Sequence, residues 1–387
     1  MKEKLIIRQK TVEDYLAVIL FVGLSGAIPF FKLYIIWFIV ALAYGLVIYS
    51  YRNGKQFKIP LYLVKVYFIF IVSCLLNFRS GISFQKLFQI FAYYLVGFFL
   101  VATLEKEDFK RIYTNIIAAE AGISVCIWIL QLLNLVDSRT ETILGFTYKH
   151  FLYNSIFASR NSGIFWEPGA FQFFLNLGLI FVFESEGSIK NYRIKQIILT
   201  VAVLSTQSTT GYLILALIYI YYVAINNAKK MNTSQRIKYI ISVAAVCVVG
   251  IYVLSSNTVQ SKFTNDNYSY RTRSVTWEVS SKMILDKPIS GYGYDSVYYN
   301  STYQSLGSRS QHNSSGLLLF TCYLGIPLMG CYLYMMYKSI KAMNFKMHPI
   351  WLSVILLLVF NSECFFTYPI IMYFFSGLNK RIGGANS

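Results

Sequence analysis

Charge is scarce in this chain. Asp, Glu, Lys and Arg make up 13% of its 387 residues, about half the roughly 25% usual in soluble domains. With 56% hydrophobic residues, too little polar surface remains to cover a soluble globule, and a bilayer is the fitting solvent. Six cysteines, Cys74, Cys126, Cys247, Cys322, Cys331 and Cys364, are scattered singly. The lack of any CxxC or Cys/His spacing argues against a disulfide scaffold or a zinc site and leaves small buried hydrophobes. Acid is scarcer than base: 17 Asp and Glu against 35 Lys and Arg, a formal net charge of +18. The N-terminus lacks a short core followed by a small-residue cleavage site, so its charge and long apolar run read as a retained signal-anchor.

What is present is apolar sequence in long runs. An unsatisfied backbone amide costs several kcal/mol in hydrocarbon, so each run is expected to be a helix of about 17–25 residues. Spans are expected near 15–31, 33–50, 60–78, 87–104, 112–136, 168–183, 238–255, 314–337 and 349–361. The stretch 196–226 is interrupted by Ser205-Thr206-Gln207-Ser208-Thr209-Thr210-Gly211 and splits in two. The run 349–378 splits likewise at Asn361-Ser362-Glu363-Cys364. The fold class expected is all-α, a polytopic membrane helical bundle of about 12 transmembrane helices forming a single integral membrane domain.

The cations fix an orientation. Lys2, Lys4, Arg8 and Lys10; Arg52, Lys55 and Lys58; Lys106, Lys110 and Arg111; and Lys190, Arg193 and Lys195 fall on alternate connections. The same side takes Lys229, Lys230, Arg236 and Lys238; Lys338, Lys341 and Lys346; and Lys380 and Arg381. By the positive-inside rule this side and both termini are cytoplasmic. The basic excess then meets anionic membrane lipids, and no nucleic-acid partner is expected. Many of the 32 tyrosines fall near span ends, as an interfacial belt requires.

Two connections on the opposite, outer side are longer than a simple link needs, 137–167 and 256–313, and both read as structured loops. In the first, Ile143, Leu144, Phe146, Phe151, Leu152, Ile156 and Phe157 recur at helix-like spacing, which predicts a helix lying in the interface. In the second, Val275, Val279 and Met283 predict a short amphipathic helix beside Trp277. The first loop ends in Arg160-Asn161-Ser162-Gly163-Ile164-Phe165-Trp166-Glu167-Pro168, with Pro168 suited to the first turn of a helix. Arg160 reads either as an interface anchor or as a guanidinium fork for phosphate, and Glu167 either as a helix-start residue or as a base. The second loop carries Arg271-Thr272-Arg273, Lys287-Pro288-Ile289-Ser290-Gly291-Tyr292-Gly293-Tyr294-Asp295 and, before the next span, His312-Asn313. Taken alone, His312 is an interfacial residue as readily as a catalyst, and Gly-x-Gly is a common turn. Glu120, inside a span, is expected to be paired, with Lys65 a possible partner, or to be proton-coupled.

In this order, the elements resemble the superfamily of bacterial O-antigen polymerases (Wzy-type) and O-antigen ligases. Its pattern of an arginine ahead of Gly-x-x-x-Glu/His-Pro is matched by Arg160, Gly163, Glu167 and Pro168. Its Ser/Thr-rich break is matched at 205–211. Its large-loop pattern is matched by Arg271 or Arg273, Trp277, Pro288, Gly291 and Gly293. Its His-Asn step is matched by His312 and Asn313, followed by Gly325. The resemblance covers roughly 155–335. It implies a glycosyltransferase that polymerises undecaprenyl-diphosphate-linked oligosaccharide repeats (O-antigen, capsule or exopolysaccharide) at the outer face of the bacterial cytoplasmic (inner) membrane. No metal or other cofactor is implied, and a chain-length regulator protein is a possible partner.

The chemistry of the residues agrees with that implication. A diphosphate leaving group needs a metal or fixed cations, and no Asp-x-Asp pair is present, so Arg160 with Arg271 or Arg273 would bind the diphosphate. His312, with Glu167 second, would serve the acceptor hydroxyl. Trp277, Tyr292, Tyr294 and Asn313 would contact sugar. Two alternatives remain: a ligase moving glycan onto a lipid core, and a transporter of the lipid-linked oligosaccharide, for which Glu120 and the 205–211 break are the inner candidates.

Overall fold

The computed structural model describes residues 2–25, 27–28, 35–52, 59–82, 84–135, 141–143, 146–148, 160–185, 189–225, 268–306 and 313–379. The chain divides into two compact units. One comprises Met1–Gly26, Phe31–Glu105 and Arg271–Ser387; the other comprises Ala27–Phe30 and Lys106–Tyr270.

The first unit holds α1 (Lys2–Gly23), α2 (Ile35–Arg52), α3 (Leu61–Leu76) and α4 (Phe84–Ala102). It also holds α9 (Tyr268–Asp286, from Arg271 onward), α10 (Val297–Ser305), α11 (Gly316–Ala342), α12 (Pro349–Ser362) and α13 (Ile371–Phe375). Helix α4 packs on α1, α2, α3 and α13, while α11 packs on α3, α12 and α13. Aromatic rings fill the space between them. Phe70 of α3 meets Tyr94, Tyr294, Phe320 and Tyr332 edge-on. The buried Tyr94 hydroxyl is held by Phe366 O (2.5 Å) and Tyr332 Oη (3.0 Å), as a buried phenol requires. Arg52 ties three helices together through Asp14 (2.8 Å), Glu13 (3.2 Å) and the carbonyl of Thr103 (2.5 Å).

The second unit holds α5 (Lys106–Leu132), α6 (Pro168–Glu184), α7 (Ile189–Ser205) and α8 (Thr209–Tyr219, continuing as a π turn over Ile220–Ile225). Helices α5, α6 and α7 pack on one another, and α8 packs on α6 and α7. The sequence break falls where expected: α7 stops at Ser205 and α8 restarts behind Ser208, whose Oγ accepts the Gly211 N–H at 3.3 Å. That is the N-cap arrangement serine favours.

Three helices among the described residues, α4, α5 and α11, are long and apolar enough to cross a membrane, and five apolar ones are shorter. The structure thus bears out a mainly helical chain with helices of membrane-spanning length and apolarity, while the expected count of about twelve spans is not confirmed among the described residues. Part of the reason is physical: α6, α7–α8 and α12–α13 are short or broken pieces in place of full-length rods. The expected span at 238–255 lies outside the described residues.

One expectation is overturned. The interface helix expected from Ile143 onward gives way, at its start, to an antiparallel hairpin of β1 (Glu141–Ile143) and β2 (Phe146–Tyr148), with Thr142 opposite Thr147. Both strands are rich in β-branched and aromatic residues, which a pleated ribbon accommodates better than a helix. Residues 149–159 lie outside the described residues. The helix expected around 275–283 is present as part of α9, with Val279 and Met283 buried.

Candidate functional site

In the second unit, the segment that starts at Arg160 is bound along its length to the α7–α8 break and to α5. Arg160 Nε donates to the carbonyl of Thr206 (3.1 Å), and the Asn161 N–H to the carbonyl of Ser205 (3.0 Å). The Asn161 amide then donates to Ser205 Oγ (2.9 Å) and Ser124 Oγ (3.2 Å), while its oxygen accepts the Gly163 N–H (3.0 Å). The Ser205 and Thr206 carbonyls are among the acceptors that the α7–α8 break leaves in need of partners. The Ser/Thr-rich break and the arginine motif, separate in the sequence, are therefore one structure.

Glu120 of α5 completes it. Its Oε1 accepts the Ile164 N–H at 3.0 Å, so its partner is this segment's backbone, where the sequence had offered Lys65. Gly163 has φ +53°, and a Cβ there would stand 2.7 Å from Glu120 Oε1, so the carboxylate reaches the backbone only past a glycine. Phe165 stacks on Phe171 (5.0 Å) and Phe174 (4.7 Å), and the Trp166 N–H donates to Ala27 O at 3.0 Å. Glu167 is the N-cap residue of α6 with Pro168 at the first turn, and its carboxylate makes no capping bond.

The first unit contributes the second cluster, built on α9. Thr276, Val279, Ser280 and Met283 face inward and are buried. Ser280 Oγ accepts from the Asn313 amide (2.8 Å), and Thr276 Oγ1 accepts from Ser314 Oγ (3.2 Å). Thr276 also pairs with Tyr303 Oη of α10 at 3.2 Å. Arg273 precedes Thr276 by three positions and Ser280 by seven, which puts it on the helical face beside the Asn313–Ser314 segment. Arg271 stands on the face of Glu278 and Lys282, whose ion pair (2.7 Å) is exposed. Trp277 is 49% exposed. His312 lies outside the described residues; its chain neighbour Asn313 is the described residue nearest to it.

The chain then enters α11. Asn313 Oδ1 accepts the Ser315 N–H (2.9 Å), and Ser315 caps the helix while donating to Asn361 Oδ1 (3.0 Å). The 361–364 break, read from sequence only as a gap between spans, thereby reaches the same cluster and brings the buried Glu363 with it. Gly316 lies so close to the backbone of Glu363 and Cys364 that a side chain there would collide. Sequence reasoning missed this contact; the signal was two polar interruptions, one on each side of a long span.

The Pro-x-x-Gly-x-Gly motif has a structural use. Helix α11 kinks at Gly325 (φ +77°), just before Pro327. Proline supplies no N–H to the carbonyl four residues earlier, Tyr323. That carbonyl accepts instead from the Gly293 N–H (3.0 Å) and Ser73 Oγ (3.0 Å), and the Cys322 carbonyl accepts from the Tyr292 N–H (2.8 Å). In return, the Ile326 N–H donates to Pro288 O (2.8 Å). The motif replaces the hydrogen bonds that the kink removes.

It also packs both tyrosines expected to contact sugar into the protein. Tyr292 is 1% and Tyr294 7% exposed. Tyr294 packs against Phe70, Phe320 and Tyr323. The Tyr292 hydroxyl donates to Asp286 Oδ2 (2.7 Å), and burial with that carboxylate pushes its pKa up. Lys287 lies over Tyr298 (4.3 Å) and Tyr292 (5.0 Å).

Among the described residues, no group of three or more His, Cys, Asp or Glu converges. Residues 196–333 match the sequence model of a family described as O-antigen ligase. That segment runs from α7 through the kink of α11 and covers a little over a third of the chain, including the 205–211 break, Arg273 and Asn313. The match supports the superfamily of O-antigen ligases and polymerases. No curated protein matches the chain.

Proposed function

We propose, on the premise that residues 196–333 form a domain of the O-antigen ligase family, that this protein polymerises undecaprenyl-diphosphate-linked oligosaccharide repeats. The reaction is assigned to the outer face of the cytoplasmic membrane and uses fixed cations. The observation that carries the reading is the docking of Asn313 and Ser314 onto the Arg273 face of α9, next in the chain to the histidine of the motif.

In this mechanism a hydroxyl of the acceptor glycan attacks the anomeric carbon of the donor, forming the new glycosidic bond as the bond to undecaprenyl diphosphate breaks. The electron pair of the breaking bond stays on the diphosphate oxygen. Guanidinium forks suit phosphate oxygens, and Arg160 of one unit and Arg273 of the other are each proposed to stabilise that developing negative charge. Helical facing favours Arg273 over Arg271 for this role. His312 takes the proton of the attacking hydroxyl, a step worth about 10²–10⁴ in rate. Trp277, half exposed on α9, offers a ring face to the sugar. Glu167, with no capping bond to make, stays second to His312 as base.

Polymerase is preferred to ligase on the Glu167-Pro168 pairing. The test is the glycan of a strain carrying His312→Ala. A polymerase defect leaves single repeats attached to the core, and a ligase defect leaves long chains on the lipid carrier. An unchanged ladder, with the variant present in the membrane, removes His312 from the mechanism.

A further inference from the structure

Helix α5 carries a carboxylate midway along its length, at Glu120, and a hydroxyl one turn further on, at Ser124. Both are buried, and their spacing puts them on one face of the helix. A carboxylate inside a helix of membrane-spanning length is costly and marks a paired or functional position. Here both groups reach across to the segment that begins at Arg160. Glu120 Oε1 accepts the Ile164 N–H (3.0 Å), and Ser124 Oγ accepts from the Asn161 amide (3.2 Å).

The α7–α8 break holds the same segment at its start. The Ser205 carbonyl accepts the Asn161 N–H (3.0 Å), and the Thr206 carbonyl accepts from Arg160 Nε (3.1 Å). Between these grips Asn161, Ser162 and Gly163 are buried, while Arg160 is half-buried. The Asn161 side chain ties the two ends of the turn together, because its oxygen accepts the Gly163 N–H (3.0 Å). There is no slack at Gly163, where a Cβ would stand 2.7 Å from Glu120 Oε1 and 3.1 Å from the Phe171 ring. Without the carboxylate, the Ile164 N–H loses its acceptor. A turn that shifts to find another carries the shift through Asn161 to Arg160.

We propose that Glu120, helped by Ser124, is a positioning residue that acts through Arg160: it fixes the Asn161–Ile164 turn and so sets where the guanidinium meets the diphosphate. The assignment rests on the diphosphate role given to Arg160 above. Packing alone does not account for the carboxylate, since an apolar side chain would fill the same space without the cost of burying a charge.

The test uses purified full-length protein and undecaprenyl-diphosphate-linked repeat units extracted from the host cell. Glu120→Ala is expected to lower kcat about tenfold or more with little change in KM, as a misplaced transition-state contact does. Glu120→Gln keeps an acceptor for the Ile164 N–H and is expected to stay within about threefold of wild type. The deciding comparison is the double variant. If Glu120 acts through Arg160, Arg160→Ala with Glu120→Ala is no slower than Arg160→Ala alone. Losses that multiply overturn the proposal, and so does a Glu120→Ala protein at the wild-type rate. Should Glu120→Ala fail to fold, Ser124→Ala decides in its place: an approximately threefold loss that disappears in the Arg160→Ala background supports the proposal, and one that persists there overturns it. An Arg160→Ala protein as fast as wild type brings down the arginine's role and this inference with it. A slow Arg160→Ala beside multiplying losses brings down the inference alone.

Discussion

Arg271 and Arg273 are two positions apart, and a helix turns about 200° over two positions. They therefore cannot serve the same surface of α9. Thr276 and Ser280 mark the face that holds Asn313 and Ser314, and Arg273 belongs to it, while Arg271 keeps company with the exposed Glu278–Lys282 pair. If Arg273 stabilises a developing charge, Arg273→Ala should lower kcat/KM by about 10²-fold or more. Arg271→Ala, a surface change, should stay within about twofold. Measuring both variants on the same lipid-linked repeats checks the assignment, and the reverse order of effects would exchange their roles. Asn161 makes the corresponding point in the second unit. Its amide binds two hydroxyls and its own turn, so it shapes the arginine segment and is not itself free to meet a ligand.

At the scale of elements, the kink of α11 and the Pro288–Gly293 turn are complementary defects. Each supplies donors or acceptors that the other's geometry leaves unpaired. Gly291 sits at their closest approach with φ +60°, where a Cβ would lie 2.6 Å from Gly325 N and from Tyr323 O. Gly291→Ala adds the left-handed penalty of about 1–2 kcal/mol to that collision. It is expected to lower the melting temperature by several degrees and to reduce activity in proportion to folded protein. A variant as stable as wild type would show that the turn can dock elsewhere.

Several of these elements were legible in the sequence. The 205–211 interruption, the short helix around Val279 and the start of α6 at Pro168 all follow from local chemistry: capping serines, apolar periodicity and a proline at a first turn. What local chemistry does not carry is pairing across long sequence distances. Nothing near Glu120 announces Ile164, and nothing near Cys322 announces Tyr292. Tyr292 and Tyr294 look like ligand rings beside glycines, yet the backbone bonds of that same motif draw them into the core. The start of the first outer loop misled for another reason: Ile143 and Phe146, the two of its apolar residues that lie in the hairpin, suit a helix face and a ribbon alike over so short a run.

Over the whole molecule, large apolar side chains stand exposed on helices that pack well on their other sides. Ile36, Ile39 and Val47 of α2 are 59%, 56% and 65% exposed, and Phe68 and Leu75 of α3 are 56% and 66%. Such surfaces suit hydrocarbon, and against them the polar clusters at Arg160–Ser208 and Arg273–Asn313 are the places where chemistry is proposed. Each cluster joins one arginine to hydroxyls and amides, and the first also holds the carboxylates of Glu120 and Glu167.

The central claim is that guanidinium groups carry the diphosphate charge in this reaction. Its most direct test is glycosidic-bond formation by the purified protein from lipid-linked repeats, with and without EDTA. The account predicts that chelation leaves the rate within about twofold, while Arg160→Ala and Arg273→Ala each lower it by about 10²-fold or more. A rate abolished by EDTA and restored by magnesium, with both arginine variants still active, would contradict it.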